Sequence, residues 1–118
     1  DAQDVMAAGE GIETILSLRQ ALPTMPMVSA LSAGHLAAIL FPPQLRRLYI
    51  VRDNDPAGDS ARDSLVDRAH EVGIETITLS PMMGDFNEDL ATYGLDAVRA
   101  EIRVEIAPED VSRFMDLR

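Results

Sequence analysis

The chain has 118 residues, enough for one domain with its own core, and carries a net charge of −10 with no cysteine. Its few basic residues are all arginine, so the composition argues against a basic nucleic-acid-binding face, and the missing cysteines exclude disulfides and thiolate metal sites. No apolar run approaches the roughly 20 residues that span a bilayer, and no signal peptide is visible, so a cytoplasmic protein without membrane partners is expected.

In chain order, Val5 to Ala8 reads as a first strand, broken by Gly9-Glu10-Gly11. Ile12 to Leu22 reads as a helix, with Ile12, Ile15, Leu16 and Leu22 as its apolar stripe and Pro23 as its stop. Met27 to Leu31 is a second strand. Ser32-Ala33-Gly34 reads as a turn, and His35 to Leu40 as a short helix that stops before Pro42-Pro43, with His35 a helix-start residue rather than a ligand. Arg47 to Arg52 is the third strand, uniformly apolar from Leu48 to Val51, as an interior strand of a parallel sheet should be. It ends in Asp53-Asn54-Asp55-Pro56-Ala57-Gly58, where Asp55 fits a helix cap and Pro56 the first helical position.

Pro56 to Val72 is the longest predicted helix. Ala57, Ala61, Leu65 and Ala69 share one face, while Asp59, Asp63 and Asp67 form a solvated face partly paired with Arg62 and Arg68. Gly73 fits a C-terminal cap, and Ile74 to Leu79 a fourth strand. Ser80 to Gly84 is a loop, and a short helix starting near Asp85-Phe86-Asn87 ends near Gly94, with Asp85 and Asn87 both candidates for its cap. Leu95 to Ile106 carries Leu95, Val98, Ile102 and Ile106 at helical spacing, and Pro108 restarts a last helix, Glu109 to Leu117. Met25, Met27, Met82 and Met83 read as core or loop packing.

Strands and helices that alternate in this way predict an α/β fold: about four strands, mainly parallel, with helices on both faces and a helical C-terminal tail. In such a sheet the loops that follow the strands leave at one edge, where ligands bind. Three of these loops carry acids: Glu10 after the first strand, Asp53 and Asp55 after the third, and Asp85 with Asn87 after the fourth. Carboxylates gathered there repel one another, so protons or a cation must sit among them. Mg²⁺ is the natural cation, with hard oxygen ligands and a habit of bridging carboxylates to substrate phosphates; Mn²⁺ is the alternative. Gly11 opens a helix whose N-terminus favours a phosphate, and Gly58 leaves room for something to approach. The absence of lysine rules out a phosphate-binding P-loop and argues against a receiver domain.

The motifs Gly9-Glu10-Gly11-Ile12-Glu13-Thr14, Ala30-Leu31-Ser32-Ala33-Gly34-His35-Leu36, Asp53-Asn54-Asp55-Pro56-Ala57-Gly58 and Gly84-Asp85-Phe86-Asn87 together resemble the Toprim domain. That domain occurs in bacterial-type primases, type IA and II topoisomerases and some nucleases, and the strings are most similar to a subgroup in plasmid- and phage-type primases and primase-helicases. The resemblance covers about Val5 to Tyr93. It implies a catalytic core over 1–94 with 95–118 as a helical extension of the same domain.

The resemblance also implies roles. Glu10 would act in acid-base chemistry at the transferred phosphate, Asp53 and Asp55 would hold Mg²⁺, and Asp85 would complete the acidic cluster. Arg52, beside the acid pair, would contact a phosphate, and Glu13 and Asn87 are lesser candidates. Many relatives carry an acid four residues after the glutamate, where this chain has Thr14, and some carry one where it has Asn87, which argues against a second metal position. The implied activity is Mg²⁺-dependent nucleotidyl transfer that makes RNA primers on a DNA template. The chain lacks an initiator methionine, so it reads as part of a longer protein whose zinc-binding or helicase domains would help to grip template and nucleoside triphosphates. A Toprim-type nuclease and a degenerate, non-catalytic Toprim scaffold are the alternative readings. The topoisomerase reading needs a catalytic tyrosine, and neither Tyr49 nor Tyr93 looks placed for one.

Overall fold

Four parallel strands form one sheet in the order β2-β1-β3-β4: β1 (Val5–Gly9), β2 (Met27–Ser29), β3 (Arg47–Val51) and β4 (Glu75–Leu79). The computed structural model describes residues 4–115. Between and after the strands lie α1 (Ile12–Ala21), α2 (Ala33–Ala37), α3 (Pro56–Glu71), α4 (Phe86–Tyr93), α5 (Leu95–Glu105) and the helical turn α6 (Pro108–Asp110), which continues as π-helical Val111–Met115.

The two inner strands explain the layers. Every residue of β1 and β3 is buried, and side chains of a strand alternate between faces. Val5, Ala7, Tyr49 and Val51 join Leu79 in a core with Ile15 and Leu18 of α1, Phe86 of α4, and Val98 and Ile102 of α5. Met6, Ala8, Leu48 and Ile50 form the opposite core with Leu36 of α2 and Ala61, Leu65 and Ala69 of α3. This is the expected α/β sheet with helices on both faces, and the continuous apolar runs of β1 and β3 are strands covered on both sides.

Local signals set most element ends. Asp55 caps α3, accepting the Gly58 N–H at 2.6 Å, with Pro56 in the first turn. Gly73 follows the end of α3 with φ +78°, a conformation that only glycine adopts without cost. Ser32 is not in a free turn, as the sequence suggested, but caps α2 by accepting the His35 N–H at 3.1 Å, so that helix starts and ends earlier than expected.

Three other expectations need correction. The buried stripe of α1 is Thr14, Ile15, Ser17, Leu18 and Ala21, whereas Ile12 and Leu16 are 52% and 57% exposed. Arg68 does not pair with the acids of its helix: it donates to Ala37 O and Ile39 O at 2.7 and 2.8 Å and stacks on Phe41, tying α3 to the end of α2. The last helix is the short turn Pro108–Asp110 and its π-helical continuation; Leu117, where it was expected to end, lies outside the described residues.

That tail is fastened at the amino edge of the sheet, away from the acidic loops. Asp110 is fully buried and accepts hydrogen bonds from Arg47 (2.8 Å) and from the Tyr49 hydroxyl, which in turn accepts the Ala107 N–H at 3.0 Å. Arg47 also pairs with Glu75 at 2.9 Å. Arg113 and Arg46 hold Asp4 at 2.9 and 3.2 Å, which keeps its carboxyl down at about 2. Tyr49 is therefore a structural residue at the core, and Tyr93 is exposed at the end of α4.

Candidate active site

The strand order places a topological switch point between β1 and β3. From β1 the chain crosses to β2 on one side, and from β3 it crosses to β4 on the other. The loops therefore part there and leave a crevice at the carboxyl edge. Gly9 and Val51 are register partners, so Glu10 and the Arg52-Asp53 pair leave neighbouring strands side by side. Gly9 belongs to the strand rather than to the turn after it. A Cβ there would come within 2.8 Å of Ile15 Cδ1 and 3.1 Å of Val51 Cβ, so a larger residue would displace the end of the Ile15 side chain and crowd β3.

Glu10 is anchored through its backbone. Its carbonyl accepts the Leu31 N–H at 2.6 Å and the Ser29 hydroxyl at 3.1 Å. Its side chain is half-buried, and Oε1 is buried with no hydrogen-bond partner. A buried carboxylate oxygen without a partner is costly, and its place at the switch point marks a position for a proton donor or a cation.

Asp53 is also half-buried, and its Oδ1 accepts the Thr14 hydroxyl at 3.4 Å. Burial pushes its carboxyl above the ordinary carboxylate range, and the negative charges of Glu10, Asp85 and Asp55 push it further. The other three acids predicted from the sequence thus all act on Asp53. Asp55 is exposed, with one oxygen committed to the cap of α3. Asp85 caps α4 by accepting the Glu88 N–H at 2.8 Å.

The remaining candidates are placed as follows. Asn87 is not a cap but lies inside α4, where it accepts the Ser17 hydroxyl at 3.2 Å. Glu13 is exposed on the first turn of α1. Arg52 is paired with Asp59 at 2.6 Å, so a phosphate contact would have to compete with an ion pair already made. Gly11 starts α1 with no side-chain cap, which leaves its first-turn amides to other acceptors. Gly58 does not leave open space for a ligand: a Cβ there would lie 2.7 Å from the Asp53 carbonyl oxygen, so the glycine admits the chain's own backbone.

Among the described residues, no three His, Cys, Asp or Glu side chains converge closely enough to cage an ion by themselves. Mg²⁺ needs no such cage, since it keeps several waters and takes one or two carboxylates together with substrate phosphates. The orphaned Glu10 oxygen and the mutual repulsion around Asp53 fit a divalent cation bound in that open manner.

Sequence reasoning missed three residues here, Ser17, Asn54 and Asp89, and gave Thr14 no contact of its own. Thr14 and Ser17 are buried on the face of α1 toward the acids, and their three-residue spacing was the available signal. Asn54 donates from its backbone N–H to Gly84 O at 2.8 Å and from Nδ2 to Met83 O at 3.0 Å. Asp89 is 0% exposed and accepts the Met82 and Met83 N–H groups at 2.7 and 2.8 Å. Behind this loop, Glu105 Oε2 accepts the Ser80 N–H at 3.4 Å, and burial, with Glu101 and Asp89 nearby, pushes its carboxyl up to about 7.

Comparison with solved structures gives the same architecture. The chain is similar to the primase of Aquifex aeolicus, solved as its zinc-binding and RNA polymerase domains, with a TM-score of 0.63 and 20% identity over 87% of this chain and 26% of that one. It is similar to a DNA primase domain from Pseudomonas aeruginosa, with a TM-score of 0.61 and 22% identity over 86% of this chain and 33% of that one. It is also similar to the DnaG catalytic core, with a TM-score of 0.58 and 17% identity over 90% of this chain and 36% of that one. At these identities the likeness is one of fold, and the chain spans only about a quarter to a third of those structures. No curated protein matches it. The sequence model of the Toprim domain family matches residues 5–96, most of the chain and all three acidic loops, and on that match the chain belongs to the Toprim domain family.

Proposed function

We propose that this chain is the catalytic Toprim domain of a DNA primase, of the kind found in plasmid- and phage-type primases and primase-helicases, and that it works within a longer protein. The observation that carries the reading is the Glu10 carboxylate, with one buried oxygen unpartnered, at the switch point beside an Asp53 whose ionisation three other acids oppose. The motif strings and the shared fold with primase structures support it.

In this reading Asp53 and Asp55 hold the cation, and Asp85 completes the negative pocket. Mg²⁺ or Mn²⁺, when bound, would neutralise these carboxylates against the phosphates of a nucleoside triphosphate and stabilise the charge that develops during transfer. The 3′-hydroxyl of the growing primer attacks the α-phosphate, a new P–O bond forms, and the bond to pyrophosphate breaks. Glu10 takes the proton released by that hydroxyl. The Thr14 hydroxyl keeps Asp53 oriented, and the unoccupied first-turn amides of α1 offer donors to phosphate oxygens. A net charge of −10 gives the domain little hold on a template, so template grip and initiation fall to zinc-binding or helicase domains of the full protein.

The test is primer synthesis by the full-length protein carrying Glu10→Gln or Asp53→Asn. Both substitutions keep the shape of the site, and each should lower synthesis by at least about 100-fold. Wild-type rates in both would overturn the reading. Metal-dependent cleavage of DNA with no primer formed would replace it with a Toprim-type nuclease, and folded protein with neither activity nor Mg²⁺ binding would leave a scaffold module.

A further inference from the structure

The acidic loops after β3 and β4 are held by two residues that are neither caps nor members of the four-acid cluster. Asn54 stands between Asp53 and Asp55 and holds two carbonyls of the next loop, Met83 O and Gly84 O. Asp89, fully buried on α4, holds two amides of the same loop, Met82 N–H and Met83 N–H, one with each carboxylate oxygen. Three consecutive residues, Met82 to Gly84, are thereby gripped from both sides. Asp85 comes next in the chain, and its own carbonyl accepts the Asp89 N–H at 3.1 Å. Neither grip arises from local propensity. A carboxylate in the first turn of a helix usually faces solvent, and loop carbonyls usually face water.

We infer that Asn54 and Asp89 are positioning residues, a two-sided clamp that sets Asp85 against Asp53 and Asp55 for a divalent cation and the phosphates it carries. The inference rests on the reading of the acidic loops as a cation-dependent active site. Its physical basis is the narrow geometry that Mg²⁺ accepts and the sensitivity of metal ligands to the hydrogen bonds behind them. Asp85 sits at a loop end where it caps α4; Phe86 in the core holds the start of that helix, and the clamp fixes the Met82–Gly84 backbone that joins it to β4.

The experiment uses the full-length protein with Asn54→Ala, Asp89→Asn and Asp53→Asn. Mg²⁺ affinity is read by calorimetry, fold by thermal unfolding, and loop order by amide exchange of the peptide around Met82 and Met83. Asn54→Ala removes one side-chain hydrogen bond from an exposed residue and should leave the fold intact. It should weaken Mg²⁺ binding about tenfold and speed exchange in that peptide. Asp89→Asn turns an acceptor for one of the two loop amides into a donor, so it should weaken binding at least as much. If Asp89→Asn fails to fold, Asn54→Ala carries the test alone. A purely structural role would lower the melting temperature and leave the Mg²⁺ affinity of the folded protein unchanged; Asn54→Ala behaving so would overturn the clamp while Asp53→Asn still abolished binding. A wild-type protein that binds no Mg²⁺ would overturn the active-site reading, and the clamp with it.

Discussion

Thr14 donates its hydroxyl to Asp53 Oδ1 across 3.4 Å, from a position on α1 that is only 4% exposed. A neutral donor thus faces the carboxylate whose ionisation the neighbouring acids oppose, and its hydrogen bond favours the charged form.

That balance has a measurable consequence for Asp53. Its carboxyl titrates above the ordinary range, so it favours the folded state only while protonated, and the contribution is lost as pH rises through the folded value. At neutral pH without metal, Asp53 therefore destabilises the fold. Asp53→Asn should raise the urea midpoint of the chain in EDTA. Mg²⁺ at about 100 times its dissociation constant should stabilise the wild type by about 2.7 kcal/mol and leave the variant unchanged. A variant that is less stable in EDTA and still responds to Mg²⁺ would contradict this account.

Gly58 is a case where a helix glycine should not be replaced. In an exposed helix Gly→Ala ordinarily stabilises by up to about 1 kcal/mol. Here the new Cβ would stand 2.7 Å from the Asp53 carbonyl oxygen and 3.2 Å from Asp55 Oδ1. Gly58→Ala should instead destabilise by about 1–3 kcal/mol, because the obstruction is backbone and cannot rotate away. Chemical denaturation reads the sign directly. The Asp53 amide signal should move in the same variant, since relief of the clash shifts the turn that carries it.

Glu105 predicts a pH dependence of stability that is separate from the site. Burial first, and the charges of Glu101 and Asp89 next, raise its carboxyl from 4.5 to about 7, while the Ser80 N–H opposes the rise. Below about 4.5 both folded and unfolded chains hold the proton and nothing is lost. Between 4.5 and about 7 the unfolded chain releases its proton first, so wild-type stability falls as pH rises through that window. Glu105→Gln should remove this fall. It should be more stable than wild type by up to about 3 kcal/mol at pH 8, with the difference closing on acidification below pH 5. Parallel stability–pH curves for the two proteins would show that Glu105 is not the titrating group.

Much of the architecture was legible because it rests on interactions within a few residues. The apolar runs of β1 and β3, the Asp55-Pro56 start of α3, the Gly73 stop and the helical spacing of Val98, Ile102 and Ile106 all appear where the sequence put them. The acidic loops followed from the same reading, since a parallel sheet sends every strand's carboxyl end to one edge.

What misled was burial. Ile12 and Leu16 look like the core face of α1, yet Thr14 and Ser17 are inside, because the helix turns its hydroxyls toward Asp53 and Asn87. Asp89 and Glu105 look like solvated helix acids, yet they lie behind the loop that leads to Asp85. Asn87 could pass for a cap until Asp85 is seen to have taken that position.

The sequence by itself determined the Toprim family, the alternation of strands and helices, and which acids reach the carboxyl edge. All of these depend on residue type and local spacing. Only the tertiary structure decided that Glu10 and Asp53 leave adjacent strands at the switch point, that Thr14 supports Asp53, and that Asn54 and Asp89 grip the loop before Asp85. Except for the Asp89 grip, which reaches back six and seven residues, those relationships join residues dozens of positions apart, and they exist only once strand order and helix packing have brought distant segments within hydrogen-bonding distance.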